Sequence, residues 1–243
     1  MFHIFESPTQ VSSLCAAVLI GLVFTGVARG APNPTCTVQV VAGQSIQDAI
    51  DGAATGATVC VGPGNYQENL LINKDGITLK GAGPENTVLE PPAQPRPFCP
   101  VLQIPPIGGE NFGLNGICVA DLDPEGKVLR TVNDVRVTGF TVRDFSGVGI
   151  MFGGTNRSRA DHNVAASNKG YGITAFLSTH VTFEYNTSYG SADAGFYVGN
   201  SPNADFKIRY NTAFADLWGV LVRDSSHFVS NRCETSLPAR LCR

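Results

Sequence analysis

Charge is sparse in this sequence. Asp, Glu, Lys and Arg together make up 15% of its 243 residues, and the formal balance is −3. No basic stripe or cluster is present, which excludes the electrostatic footprint of a nucleic-acid binder. No Cys-x-x-Cys pair and no paired-histidine motif occurs, so a metal centre of that kind is excluded as well. Glycine and proline are plentiful instead, at 27 and 15 residues. Together with many Asn, Ser and Thr they mark frequent turns between short strands, which points to one all-β domain.

The one long apolar run, residues 11–28, is followed by Ala28-Arg29-Gly30. A small-x-small pattern after such a run predicts a secretory signal peptide over 1–30 and an extracellular location. The segment MFHIFESPTQ before it has no Lys or Arg, so an N-terminal membrane anchor facing outside is the alternative. Outside the leader six cysteines remain, an even number that reads as disulfides in an exported chain. Six cysteines allow 15 pairings. The set adopted as an expectation is the nearest-neighbour one: Cys36–Cys60, Cys99–Cys118 and Cys233–Cys242.

The repeat that organises the chain is Gly149-Ile150-Met151-Phe152, returning at Gly172-Ile173, Gly195-Phe196 and Gly219-Val220. The glycines are 23, 23 and 24 residues apart. A fixed period in the twenties is the mark of a solenoid, whose rungs fold only together. A second strand precedes each glycine strand, at Val135, Ser158, Val181 and Phe206, and Asn163, Asn186 and Asn211 follow three of them. Asparagines stacked at a turn hydrogen-bond the backbone and one another, so these are expected to be structural.

The opening differs. Ser45 is placed to N-cap a short helix, with Asp48 where a capping-box acid would sit and Ile46, Ala49 and Ile50 on one face. The stretch GQSIQDAIDGAATGATVCVGPGNYQENLLINKDGITLKGAG, residues 43–83, resembles the start of right-handed parallel β-helix proteins of the pectate-lyase-like superfamily. That resemblance implies an all-β, right-handed parallel β-helix with rungs of about 23 residues and an N-terminal capping helix. It implies a polysaccharide partner and lyase, epimerase or hydrolase chemistry. The motifs that carry catalysis in such proteins are not matched: Asp144-Phe145-Ser146-Gly147 departs from the pectinesterase pattern, and no Asp-Pro-His occurs.

The expected organisation is a leader (1–30), the cap and first rungs (31–93), a proline-rich projecting loop (94–132), regular rungs (133–232) and an irregular tail (233–243). Two rungs are expected before the loop and four after it. Nothing in the tail looks able to cap the last rung, which suggests self-association there. Alternation turns Met151, Thr174, Tyr197 and Leu221 outward, with Gly153, Phe176, Gly199 and Arg223 as the next outward row. Tyr197, Phe176 and Arg223 are then expected to offer a platform for a sugar. On the second strand Asp161 and Glu184 fall at equivalent places in adjacent rungs, roughly 5 Å apart, the separation of a retaining glycosidase pair. If the protein is catalytic, they are the candidate acid and base, with Arg209 or Arg159 as charge stabiliser. An ordinary charge network is the competing reading. Asp193 and Asp216 are expected in turns, with a calcium site as the alternative; no other cofactor is implied. A non-catalytic binding or adhesion module and a remnant of a longer β-helix stand as alternative functions.

Overall fold

The structure, a computed structural model, describes residues 35–96, 113–201, 205–216, 218–222 and 226–242. The leader, Cys99 and Arg223 lie outside the described residues. Short parallel strands pair with their counterparts one repeat away and build three sheets that run the length of a solenoid. Sheet A has eight strands: Val38–Val40, Thr58–Val61, Thr78–Gly81, Arg136–Thr138, Arg159–Asp161, Thr182–Glu184, Phe206–Arg209 and Ser226–Val229. Sheet B has seven, from Gly64–Gln67 through Thr87–Glu90, Thr141–Arg143, Val164–Ala166, Thr187–Tyr189 and Thr212–Phe214 to Arg232–Cys233. Sheet C also has seven: Leu70–Ile72, Ile117–Ala120, Ile150–Gly153, Ile173–Phe176, Ala194–Gly199, Trp218–Val222 and Ser236–Leu237.

The registers explain the repeat. Ile150 pairs with Ile173 and Ile173 with Phe196, so like residues stack on like along the axis. Ile150, Phe152, Ile173, Ala175, Phe196 and Val198 point into one continuous core with Val137, Ala160, Phe183 and Ile208 from sheet A. The repeated glycine is a matter of room at the corner between sheets B and C. A Cβ on Gly172 would stand 2.2 Å from the Ser188 hydroxyl and 2.5 Å from the Gly195 carbonyl oxygen.

The corner between sheets A and B is held by the asparagines. Asn186 donates its Nδ2 to the Ala160 carbonyl at 2.9 Å, and its Oδ1 accepts the Asn163 amide at 3.0 Å. Asn163, Asn211 and Asn231 make the same contacts one rung away, so the ladder runs one rung further than the sequence reading took it. All four are buried, where an unpaired amide would be costly. The residue before each asparagine takes a left-handed conformation: φ is +55° at His162, +55° at Tyr185, +57° at Tyr210 and +52° at Ser230. Each costs of order 1 kcal/mol for a non-glycine residue, which the ladder's hydrogen bonds offset.

The helix Ile46–Gly52 buries Ile46 and Ile50 against the first rung. Ser45 is its N-cap as expected, its hydroxyl accepting the Asp48 amide at 3.2 Å. The acid that answers it is Glu68, from the resemblance stretch, not Asp48. Glu68 takes the Ile46 amide at 2.8 Å, the Gln47 amide at 3.1 Å and the Ser45 hydroxyl at 2.8 Å. Asp48 turns outward to Arg96, 2.8 Å away.

Two boundaries move. The segment expected to be one loop from 94 to 132 contains a strand of sheet C, Ile117–Ala120. All its prolines but Pro124 lie before residue 107, so their veto on strand structure never reached Ile117. The tail does not break off at 233. Strands Arg232–Cys233 and Ser236–Leu237 carry the last rung on, and Leu241 and Cys242 fold back onto the core beside Phe228. Cys233–Cys242 closes that turn, and Cys36–Cys60 ties the first two strands of sheet A. Cys118 is disulfide-bonded to a partner outside the described residues.

Candidate functional site

Sheet A brings Asp161 and Glu184 into direct register, as their spacing implied. It also fills the space around them. Arg136 reaches Asp161 through two nitrogens, at 2.7 and 2.6 Å. Arg159 donates to Asp161 at 2.9 Å and also grips Glu184, which Arg209 holds from the far side. Thr138 and His162 complete the shell of Asp161 at 3.0 and 2.9 Å. Charges therefore alternate along the sheet: Arg136, Asp161, Arg159, Glu184, Arg209. Asp161 is 0% exposed and Glu184 4%, although both sit on the outer face, because the guanidiniums lie over them. Burial pushes the Asp161 carboxyl up, but hydrogen bonds from Arg136 and His162 and the positive charges of Arg159 and Arg136 bring it down to about 2. A carboxylate held that low carries no proton to donate near neutrality, and a sealed one reaches no substrate atom. The geometry is that of an ion-pair ladder.

The outer row of sheet C is not a surface. Met151, Thr174, Tyr197 and Phe176 are all buried. Met151, Tyr197 and Phe176 form a second apolar cluster with Cys118, Val148 and Tyr171, against which Leu71 and Leu122 pack. Tyr171 and Tyr197 stack at 4.7 Å. The expectation of an exposed Tyr197–Phe176 platform is thus corrected: alternation assigns a residue to the side away from the solenoid core, and here that side is covered too. Arg223, the third member, lies outside the described residues. Asp193 and Asp216 sit at the corner between sheets B and C. Asp216 accepts the Ser191 amide of the neighbouring rung at 2.7 Å, a bond between stacked corners, and no group of three or more His, Cys, Asp or Glu side chains fit to hold a metal occurs among the described residues.

Exposed aromatic surface lies elsewhere, on sheet B and its corner with sheet A. The left-handed corner residues throw their rings outward and onto one another. His162 stacks on Tyr185 at 5.1 Å, and Tyr185 on Tyr210 at 5.0 Å. Four residues further along each strand a second ladder stands, Tyr189 on Phe214 at 5.1 Å with 12° between the rings. Tyr185 is 49% exposed, Tyr210 43% and Phe214 42%. Between the ladders Val164, Thr187 and Thr212 make a half-buried floor. Tyr185 and Tyr189 are separated by at most roughly 13 Å of chain at ~3.3 Å per residue. The result is a shallow trough along the solenoid axis, walled by rings. Each ladder has a ring face with no aromatic over it: Gly139 precedes His162 at the corner, and Ala166 precedes Tyr189 in register. In the sequence His162 lines up with Tyr185 and Tyr210, which implies an inward or a turn position; the structure makes it a turn with the rings outward, and the matching hexapeptides Asp161–Ala166, Glu184–Tyr189 and Arg209–Phe214 carry the second ladder too.

The model of the family described as "Right handed beta helix region" matches residues 111–236, more than half of the chain. The chain belongs to the right-handed β-helix family. Among solved structures, this β-helix is similar to the catalytic domain of a GH87 α-1,3-glucanase, with 18% identity and a TM-score of 0.53 over 84% of this chain and 40% of that one. A pectin methylesterase from carrot matches with 13% identity and a TM-score of 0.47, over 84% and 74% of the two chains. The A-module of a mannuronan C-5 epimerase from Azotobacter vinelandii matches with 22% identity and a TM-score of 0.46, over 72% and 53%. The β-helix thus spans well under half of the glucanase domain and about half of the epimerase module. Identities this low carry the fold and nothing finer. No curated protein sequence matches. The two complete disulfides fit an oxidising, extracellular setting, and among the described residues no helix is long and apolar enough to cross a membrane.

Proposed function

We propose that this β-helix binds an extracellular polysaccharide along the trough on sheet B, and that its sheet A carboxylates take no part in acid–base chemistry. The observation that carries the reading is the pair of exposed, stacked ring ladders with a threonine floor between them. Aromatic rings offer apolar area at low entropic cost, and the exposed rings of Tyr185, Tyr210 and Phe214 suit the C–H face of a pyranose. The tyrosine hydroxyls and the two threonines supply hydrogen bonds for sugar hydroxyls. The glucanase neighbour, solved in complex with tetrasaccharides, makes oligosaccharides the first ligands to test. The ion-pair ladder supports binding over catalysis, since its carboxylates are occupied.

A glycan array probed with the secreted protein, followed by reducing-end and unsaturated-product assays on the hits, tests both halves. The expected result is binding without product, with affinity falling tenfold or more, about 1.4 kcal/mol, in the double variant Tyr185→Ala, Tyr210→Ala. Binding that survives this variant unchanged sinks the trough. Product formation abolished by Asp161→Asn or Glu184→Gln sinks the non-catalytic reading.

A further inference from the structure

We infer that the N-terminal end of sheet B carries a second, separate ligand site: a cleft for an uncharged, hydroxyl-rich molecule such as a neutral oligosaccharide. The cleft measures about 400 Å³ and lies between the Gly64–Gln67 strand, the turn before the helix and the segment at 92–96. That volume is within the roughly 300–1,000 Å³ of small-ligand pockets.

Its chemistry follows from which of its polar groups are already used. Two charged side chains line it, and both are engaged. Glu68 spends both oxygens on the helix start. Arg96 is paired to Asp48 at 2.8 Å, with Asp51 at 4.0 Å. The buried Asn69 is engaged too, exchanging two hydrogen bonds with the Arg96 backbone at 2.9 and 3.0 Å. Three exposed amide side chains, Asn65, Gln67 and Gln94, line the cleft and make no hydrogen bond within the described residues. Each offers two N–H donors beside a carbonyl acceptor. Paired hydroxyls on a sugar ring present the complementary set. A uronate would bring a carboxylate to a cleft whose one guanidinium is taken, and a cation would find its one carboxylate taken. The engaged fixed charges and idle amides together select a neutral ligand.

Side-chain amide signals of the labelled full chain, followed during titration with cellotetraose, xylotetraose, maltotetraose and tetragalacturonate, test the assignment. At least one neutral tetrasaccharide is expected to move the Asn65, Gln67 and Gln94 signals. The triple variant Asn65→Ala, Gln67→Ala, Gln94→Ala, altered only at exposed positions, is expected to bind that sugar at least tenfold more weakly. The Tyr185→Ala, Tyr210→Ala protein is expected to show the same cleft shifts as the parent, which separates this site from the trough. Amide signals that no neutral sugar moves, or that tetragalacturonate moves more than any neutral sugar does, overturn the inference.

Discussion

Asp216 stands where the fold calls for an asparagine. At the corner between sheets B and C, Asn168 accepts the Phe145 amide with Oδ1 and donates Nδ2 to the Val142 carbonyl at 3.2 Å. Two rungs on, Asp216 accepts the Ser191 amide with Oδ1, repeating the first contact. Its Oδ2 takes the place of the donating nitrogen and is buried without a partner. In the strand register the counterpart of the Val142 carbonyl is that of Ser188. Two acceptors meet unless the carboxyl holds a proton. Burial pushes this carboxyl up and the Glu234 charge adds to it, against the opposing Ser191 amide and Ser188 hydroxyl, leaving it at about 6. From the ordinary 3.8 that is about 3 kcal/mol at ~1.4 kcal/mol per pH unit. Partial exposure screens it to roughly half, about 1–2 kcal/mol. The folded state holds the proton more tightly than the unfolded state. The native protein therefore loses stability as pH rises from about 4 to about 6, and above that the penalty is constant. Asp216→Asn restores the donor at every pH. Thermal unfolding followed by circular dichroism should show the variant level with the parent at pH 3.5 and higher by roughly 4 °C at pH 7.5, using ~2–4 °C per kcal/mol for a chain of this size. A gain that is equal at both pH values, or larger at pH 3.5, would refute the reasoning.

Other perturbations test the scaffold. Asp161→Ala strips Arg136, Arg159, Thr138 and His162 of their shared acceptor and should cost about 3–5 kcal/mol in urea unfolding; a loss under about 1 kcal/mol would show the ladder to be ornamental. The stabilisation from Asp161 is complete above about pH 4 and disappears as pH falls through about 2, because its folded carboxyl is the stronger acid. Asn186→Ala leaves the Asn163 amide and the Ala160 carbonyl unpaired in the core, an expected loss of about 2–4 kcal/mol. Amide exchange at Asn163 should quicken more than at Ile150, and equal quickening would mean global rather than local loosening.

Architecture was legible because it is written many times over. Each of Ile150, Ile173 and Phe196 states the same inward position, so an error at one rung is corrected by the next. The same holds for Asn163, Asn186 and Asn211. What escaped was information stated only once. Ile117–Ala120 is a single strand set close behind seven prolines, and Cys233 to Leu237 has little of the glycine pattern. The site was less legible for a different reason. Period-two alternation tells which way Tyr197 points relative to the core and nothing of what lies over it. It likewise placed Asp161 outside without revealing that two arginines close it off. His162, Tyr185 and Tyr210 line up in the sequence, but alignment alone leaves an inward and a turn position both open; the left-handed backbone that throws the rings outward belongs to the corner, and Tyr189 and Phe214 stand on sheet B, off the glycine repeat.

In the regular rungs from Arg136 onward the turn between sheets A and B has a fixed measure, unlike the first two rungs, where Asn65 follows Thr58 by seven positions and Val88 follows Thr78 by ten. Thr141 follows Arg136, Val164 follows Arg159, Thr187 follows Thr182 and Thr212 follows Lys207 by the same five positions. Between sheets C and A the count changes: Thr182 follows Ile173 by nine positions, while Lys207 follows Phe196 by eleven. One edge of the solenoid is a selvedge and the other an open hem. New sequence can enter at the hem, between sheets C and A, and leave the trough intact. A single residue added at the selvedge would break the asparagine chain and turn the next strand's core residues toward solvent. Within these regular rungs, diversification, natural or directed, is therefore confined to the side between sheets C and A.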